Sequence, residues 1–489
     1  MTGGIRIPAP VHRKRVESEG VAPNRARVSV DPMRPATFVI LGASGDLASR
    51  LLLPAVGELL HRDTDRELTL IGAGSDAWDD DHWRDAVRKA FAAAGAEDEF
   101  PRVAETRYVQ ADITDPDALT SLLEPLHGPV VLYFAVPPAV AAAACTALQQ
   151  VRLPEDLVLA LEKPFGGDRE GAAKLNAVLR DLVPERQVFR VDHFLGRDTV
   201  LNLLGVRFAN RLVEPLWSAA HVEHVLIRFD ESLALENRAR YYDHAGAMVD
   251  MLQSHLLQIL ATLTMAPPAT LGERDLRDAK GAALRATHIW DDDPVHFSRR
   301  ARYTAGTIGD RRIPSYVDEP GVDPSRDTET LAEFTCEVRT SRWAGVPFTL
   351  RSGKALGTAR AEVVVTFRKV RHLPEGFLGD APDGGVLRFS LGPDTVTFEL
   401  NVNGGDDPFE LHREAATVAL GEGRIHAYTQ VLSEILEGDV TLSVRGDSAE
   451  ECWRIVQPVQ DAWSRGDVPL EDYPAGSPGP AGWATSQAS

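Results

Sequence analysis

A short apolar run, Thr37-Phe38-Val39-Ile40-Leu41, hands over directly to Gly42-Ala43-Ser44-Gly45-Asp46-Leu47 and then to a helical pattern through Leu59. Few sequence features restrict a fold more. An apolar run of this length reads as a buried strand. Glycines at a strand-to-helix turn let the backbone approach a pyrophosphate, whose charge is favoured by the helix N-terminus. Two glycines serve a plain tight turn equally well. The strand before and the helix after favour the phosphate reading.

Further apolar runs recur at 68–71, 107–109, 130–136, 157–161 and 187–191, with helical stretches such as 139–150 and 169–182 between most of them. Alternating strands and helices imply a parallel, doubly wound sheet, here a Rossmann-type α/β domain over 36–200. Beyond Asp198 the pattern changes. Helical stretches at 199–210 and 247–265 precede segments of alternating polarity at 348–350, 363–367, 386–389 and 396–400, separated by turns such as Asp383-Gly384-Gly385. That alternation predicts a large antiparallel sheet covered on one face. Helical stretches at 427–436 and 449–463 close an α+β domain over 201–473. The Arg- and Pro-rich leader, 1–35, and the Pro/Gly/Ser-rich tail, 474–489, are expected to be disordered.

With 489 residues the chain exceeds what a single core usually holds, in agreement with two domains. Lys plus Arg number 52 and Asp plus Glu 72, a net charge of −20. Such a surface repels phosphate backbones, so the body of the protein is not expected to bind nucleic acid. Arg13-Lys14-Arg15 in the leader reads as a solvated basic tail. No apolar run is long enough for a bilayer, and no signal pattern opens the chain. Cys145, Cys336 and Cys452 are scattered, which indicates neither a disulfide framework nor a zinc site and suits a reducing cytoplasm.

Two further segments carry chemistry. Arg190-Val191-Asp192-His193 ends a predicted strand, where ligands of such sheets bind. An acid and an imidazole there serve a cleft or a solvated loop. Asp250-Met251-Leu252-Gln253-Ser254-His255-Leu256-Leu257-Gln258 lies in a helical stretch. The apolar neighbours of His255 turn it inward, and most histidines on an apolar face are simply core residues.

The motifs together resemble the glucose-6-phosphate dehydrogenase family. Gly42-Ala43-Ser44-Gly45-Asp46-Leu47-Ala48 is similar to its coenzyme loop, and Tyr133-Phe134-Ala135-Val136-Pro137-Pro138 to its next coenzyme landmark. Glu162-Lys163-Pro164-Phe165-Gly166 is similar to its EKPFG turn, and residues 190–198 to its RIDHYLGKE signature. Residues 250–258 are similar to its DxxQNHLLQ helix, departing at Ser254, and the likeness continues to Trp453-Arg454-Ile455. The resemblance implies that His255 takes the proton of the sugar's anomeric hydroxyl while C1 gives a hydride to a nicotinamide. It implies that Asp192 orients His255 and that Lys163 bridges substrate and nicotinamide. His193 and Arg197 then contact the substrate phosphate, Glu231 and Asp250 hold sugar hydroxyls, and Lys354 and Tyr428 bind substrate. Gly42, Ala43, Ser44, Gly45, Asp46, Leu47, Ser75, Pro137 and Lys163 would hold NADP or NAD. The residue types suit the reaction: imidazole, with a free pKa of about 6.5, is a natural base near neutral pH, and a carboxylate on its other nitrogen sets the tautomer.

Five more positions depart from the family. Leu51 replaces a lysine, Phe194 a tyrosine, Arg197 a lysine and Ala359 a basic residue, with Arg360 adjacent. Ser75, followed by Asp76, stands where NADP-users place an arginine, which favours NAD or dual use. The leading expectation is oxidation of glucose 6-phosphate at C1. A divergent paralogue acting on another hexose, and a non-catalytic sugar-phosphate or nucleotide sensor, are the alternatives. A homodimer or homotetramer built through the sheet is implied by the family.

Overall fold

The computed structural model describes residues 35–483 apart from 197, 237–238, 379–383, 405–406 and 421–425. Apart from Pro35, the expected leader lies outside the described residues, as does Arg197.

Six strands, β1 (Ala36–Leu41), β2 (Leu68–Gly74), β3 (Arg107–Gln110), β4 (Val130–Phe134), β5 (Leu157–Glu162) and β6 (Val188–Val191), form a wholly parallel sheet in the order β3-β2-β1-β4-β5-β6. Their near-continuous apolar character follows from cover on both faces. The cover comes from α1 (Leu53–Arg62), α2 (Asp80–Ala93), α3 (Pro116–Leu123), α4 (Pro138–Leu148) and α5 (Arg169–Leu182). Asp79, Asp115 and Asp168 start three of these helices, each accepting from a backbone N–H of the first turn. The strand order reverses between β1 and β4. A crevice therefore opens at the carboxyl ends of those strands.

The remaining helices are α6 (Asp198–Phe208), α7 (Ala239–Ala247), α8 (Leu257–Thr264), α9 (Glu273–Arg285), α10 (Ala427–Glu437) and α11 (Gly446–Ser464). The second sheet contains β7 (Val222–Asp230), β8 (Thr287–Ile289), β9 (Ser298–Thr304), β12 (Leu331–Val338), β13 (Phe348–Gly353), β14 (Arg360–Phe367), β15 (Val386–Leu391), β16 (Asp394–Asn403), β17 (Leu411–Ala419) and β18 (Leu470–Pro474); β10 (Gly306–Ile308) and β11 (Arg311–Ile313) pair separately. The order is β17-β16-β15-β14-β7-β13-β12-β9-β18, with β8 beside β12. Most neighbours are antiparallel, but β7–β13 and β9–β18 are parallel. These two pairs join strands distant in sequence, a relation that alternating polarity does not reveal. Trp217 and Trp343, both fully buried, donate their indole N–H to Leu263 O and Thr264 O and so pin the end of α8.

One expectation changes. The tail is not disordered through residue 483: Ala475 and Trp483 are each 4% exposed, Trp483 donates to Glu471, and Pro478 O accepts from Arg351. Its glycines and prolines make turns in contact with the core, and only 484–489 lie outside the described residues. The second half packs against the first. Val431, Leu432 and Ile435 of α10 enter the apolar cluster of Phe38, Ile40 and Val131, and Trp453 of α11 donates to Phe165 O at 3.0 Å.

Candidate active site

The turn after β1 has the shape of a phosphate cradle. Gly42 has φ +87°, and a Cβ there would stand 2.5 Å from Val136 Cγ1 and 2.6 Å from Ala135 O. Only glycine fits that approach. The N–H groups of Gly42 and Ala43 donate to Ala73 O, which ties the turn to the end of β2. A π-helical turn, Ala48–Leu52, then leads into α1. With the N–H groups of Gly42, Ala43 and Gly45 given to Ala73 O and Gly42 O, the turn would meet a dinucleotide pyrophosphate through the positive end of the helix that follows, and Ser44 is partly buried. Ser75 and Asp76 are exposed beyond β2, and Pro137 is exposed ahead of α4.

Asp192 follows directly on β6, and His255 lies in a π-helical segment, Met248–Leu256, between α7 and α8. The two meet in the interior, His255 Nδ1 lying 2.5 Å from Asp192 Oδ1, with both side chains 1% exposed. Asp192 Oδ1 also accepts from Phe194 N at 3.0 Å. Burial would lift the Asp192 carboxyl, but the charge and hydrogen bond of His255, with His193 and Lys163 beyond, hold it at about 2. Burial lowers the pKa of His255, against the opposing pull of Asp192. An anionic Asp192 accepts from Nδ1, which leaves Nε2 as the basic nitrogen. Phe194 stacks on the imidazole with centroids 4.0 Å apart and planes 17° apart, while His193 meets it edge-on at 5.0 Å.

Two ion pairs stand nearby. Lys163, just past β5, reaches Asp250 Oδ1 at 2.9 Å and also bonds the Asp250 carbonyl. Burial alone would lower the Lys163 pKa; the charges of Asp250, Tyr241 and Asp192 raise it instead, and the ammonium stays charged. Lys354, just past β13, lies 2.6 Å from Glu231 Oε2, just past β7, with the face of Tyr242 5.2 Å away. The parallel pairing of β7 and β13 brings these two ends together. Ala355, which follows, is buried with φ +52°, a strained conformation beside Lys354.

Tyr428 enters from α10. Its ring stacks on His193 at 5.3 Å, and its hydroxyl donates to Glu162 Oε1 at 3.2 Å, where the Tyr133 hydroxyl also donates at 2.5 Å. Burial raises the Glu162 carboxyl above its ordinary value. The structure thus brings together His255, Asp192, Lys163, Asp250, His193 and Tyr428. Leu51 is 42% exposed and Ala359 and Arg360 are exposed, whereas Phe194 is buried against His255. Sequence reasoning missed Tyr241 and Tyr242, whose adjacent side chains flank the two lysines, and the role of Glu162 as acceptor for two tyrosines. Glu162 stood inside the Lys163 motif, a signal available but unused.

The fold agrees with comparisons to known proteins. Residues 39–202 match the family model for the NAD binding domain of glucose-6-phosphate dehydrogenase, and residues 204–488 that for its C-terminal domain. The chain belongs to the glucose-6-phosphate dehydrogenase family. It is an NAD(P)-dependent oxidoreductase. Glucose-6-phosphate 1-dehydrogenase of Treponema pallidum is 35% identical over 91% of this chain and 92% of its own, and that of Gluconobacter oxydans 36% identical over 92% and 95%. The crystal structure of the Mycobacterium avium enzyme superposes with a TM-score of 0.79 at 33% identity, covering 91% of this chain and 95% of its own. A glucose-6-phosphate dehydrogenase in complex with its substrate glucose-6-phosphate superposes with a TM-score of 0.80 at 26% identity, covering 91% and 96%. Among the described residues no helix is long and apolar enough to cross a membrane.

Proposed function

We propose that the protein oxidises glucose 6-phosphate at C1 to 6-phosphogluconolactone, with His255 as general base and Asp192 as its orienting partner. The observation that carries this reading is the buried 2.5 Å contact between them at the carboxyl end of β6, on the same edge of the sheet as the Gly42 turn. A bound nicotinamide coenzyme would supply the acceptor for the C1 hydride. His255 Nε2 takes the proton of the C1 hydroxyl as the C1–O bond becomes a carbonyl, so proton and hydride leave together and a lactone results. Asp192 stabilises the imidazolium so formed. Lys163 places a positive charge between the sugar and coenzyme sides. Asp250 and Glu231 accept from sugar hydroxyls, Lys354 and Tyr428 bind the sugar, and His193 and Arg197 contact its phosphate. The Gly42–Leu47 turn and Pro137 hold the coenzyme.

The exposed Ser75 and Asp76 support NAD or dual use. A carboxylate near the ribose repels a 2′-phosphate and accepts from a free hydroxyl. One observation favours a second reading, a different hexose derivative: exposed Leu51 and buried Phe194 supply neither the amine nor the hydroxyl of their family counterparts. The protein is read as a cytoplasmic homodimer or homotetramer associating through its large sheet. Purified protein given glucose 6-phosphate with NAD and, separately, NADP should generate reduced nicotinamide. No turnover with either coenzyme would exclude the primary reading, and a panel of phosphorylated and free hexoses would then separate the second from a non-catalytic role.

A further inference from the structure

Gly246 breaks the helix near the end of α7, just ahead of the segment that carries Asp250 and His255, with φ 60° and ψ 179°. A helix that restarts leaves its first N–H groups without intrahelical partners. Here one residue meets two of them: Glu329 O accepts from Ala247 N at 3.2 Å, and Glu329 Oε1 accepts from Met248 N at 2.9 Å. The fit is close, because a Cβ on Gly246 would stand 2.3 Å from that same Oε1. Glu329 is 8% exposed, and burial lifts its carboxyl to about 7, against the Met248 N–H and Arg300. Its neighbours hold the opposite wall. Thr328 Oγ1 donates to Asp243 O of α7, Thr330 O accepts from Lys354 N at 2.8 Å, and Thr330 Oγ1 meets Tyr473 Oη, which donates to Lys354 O at 2.6 Å.

We infer that Glu329 is a positioning residue, which fixes the start of the His255 segment against the strand end bearing Lys354 and thereby sets the separation of Asp250 and Lys354 across the sugar site. The inference rests on the proposed oxidation. Two residues after Met248, Asp250 holds Lys163 by both its carbonyl and its carboxylate. A shift at Met248 therefore moves three polar groups at once, while the Gly42 turn, on another element, stays in place.

Three variants test this, compared with the wild-type chain by steady-state kinetics and thermal melting. Glu329→Leu keeps the bulk and removes the acceptor. The KM for the sugar should rise about tenfold, the size of one lost buried hydrogen bond, and by more than the coenzyme KM, which shares only Lys163 with the displaced segment. Glu329→Asp keeps the charge but withdraws the oxygen, and should raise the sugar KM likewise. Glu329→Gln keeps an oxygen at the same place and should restore a near-wild-type KM. A purely structural role would lower the melting temperature and the active fraction while leaving KM alone. An unchanged sugar KM in the Asp variant, or a Gln variant as impaired as Asp, overturns the inference. Ratios are read on whichever sugar the wild type oxidises, so a failure of glucose 6-phosphate as substrate registers separately in the wild-type assay.

Discussion

Held by Asp192 on one nitrogen and covered by Phe194 on one face, His255 has little freedom except at Nε2. His255→Asn should cost about 10²–10⁴-fold in turnover, the usual contribution of a general base, while the dissociation constant for the sugar phosphate stays within a few-fold. An active variant would remove His255 from the mechanism. The pH dependence follows from the sign of its shift. The neutral imidazole is the active form, so kcat/KM is full above its pKa and lost as pH falls through it. Burial lowers that pKa, so the acid limb belongs below 6.5. Asp192→Asn removes the opposing charge, so its limb should lie lower still and its maximal rate should fall; a limb above 6.5 in the wild type would contradict this electrostatic picture. Little of this was legible at single residues. His255 sits among apolar neighbours as a core histidine would, and its partner lies 63 positions away. Only the resemblance of whole motifs paired them in advance.

Elements explain why those residues converge. The π-helical winding of Met248–Leu256 changes the rotation per residue where the periodicity predicts one uninterrupted helix over 247–265, and such turns recur at functional sites. Periodicity reports which side is apolar and is too coarse to register one added residue in a turn. The glycine turn is different: strand, glycines and helix were all legible, because a buried parallel strand must be apolar and a close backbone approach must lack a Cβ. Gly42→Ala should raise the coenzyme KM by about tenfold or more, since positive φ alone costs about 1–2 kcal/mol and Val136 and Ala135 leave no room. Coenzyme titration by fluorescence would measure it. Ser75→Arg should shift the NADP-to-NAD preference toward NADP by at least several-fold; an unchanged ratio would place the 2′-phosphate contact elsewhere.

At the scale of the whole molecule, the last described segment of the chain packs on the second sheet. Arg299 lies over the Trp483 ring at 4.8 Å, and Trp483 belongs to a cluster with Tyr303, Tyr316 and Tyr473 beside Lys354. Trp483→Ala should therefore destabilise the fold by about 3 kcal/mol, read as a lower denaturation midpoint, where a disordered tail would show no change. The outer strands β16 and β17 leave Leu400, Val402 and Val418 exposed, and sedimentation should find a dimer rather than a monomer. What the sequence by itself determined was the class of each domain and the glycine turn between the first strand and its helix, because strand burial, helix periodicity and backbone approach are local requirements written in neighbouring residues. Which side chains meet was decided by tertiary structure alone. The Lys354–Glu231 pair needs the parallel crossover of β7 and β13, Tyr428 needs α10 to return to the first sheet, and the His255 segment needs a cap from Glu329, 81 residues beyond Met248. These are long-range contacts, set by how layers pack rather than by the order of residues along the chain.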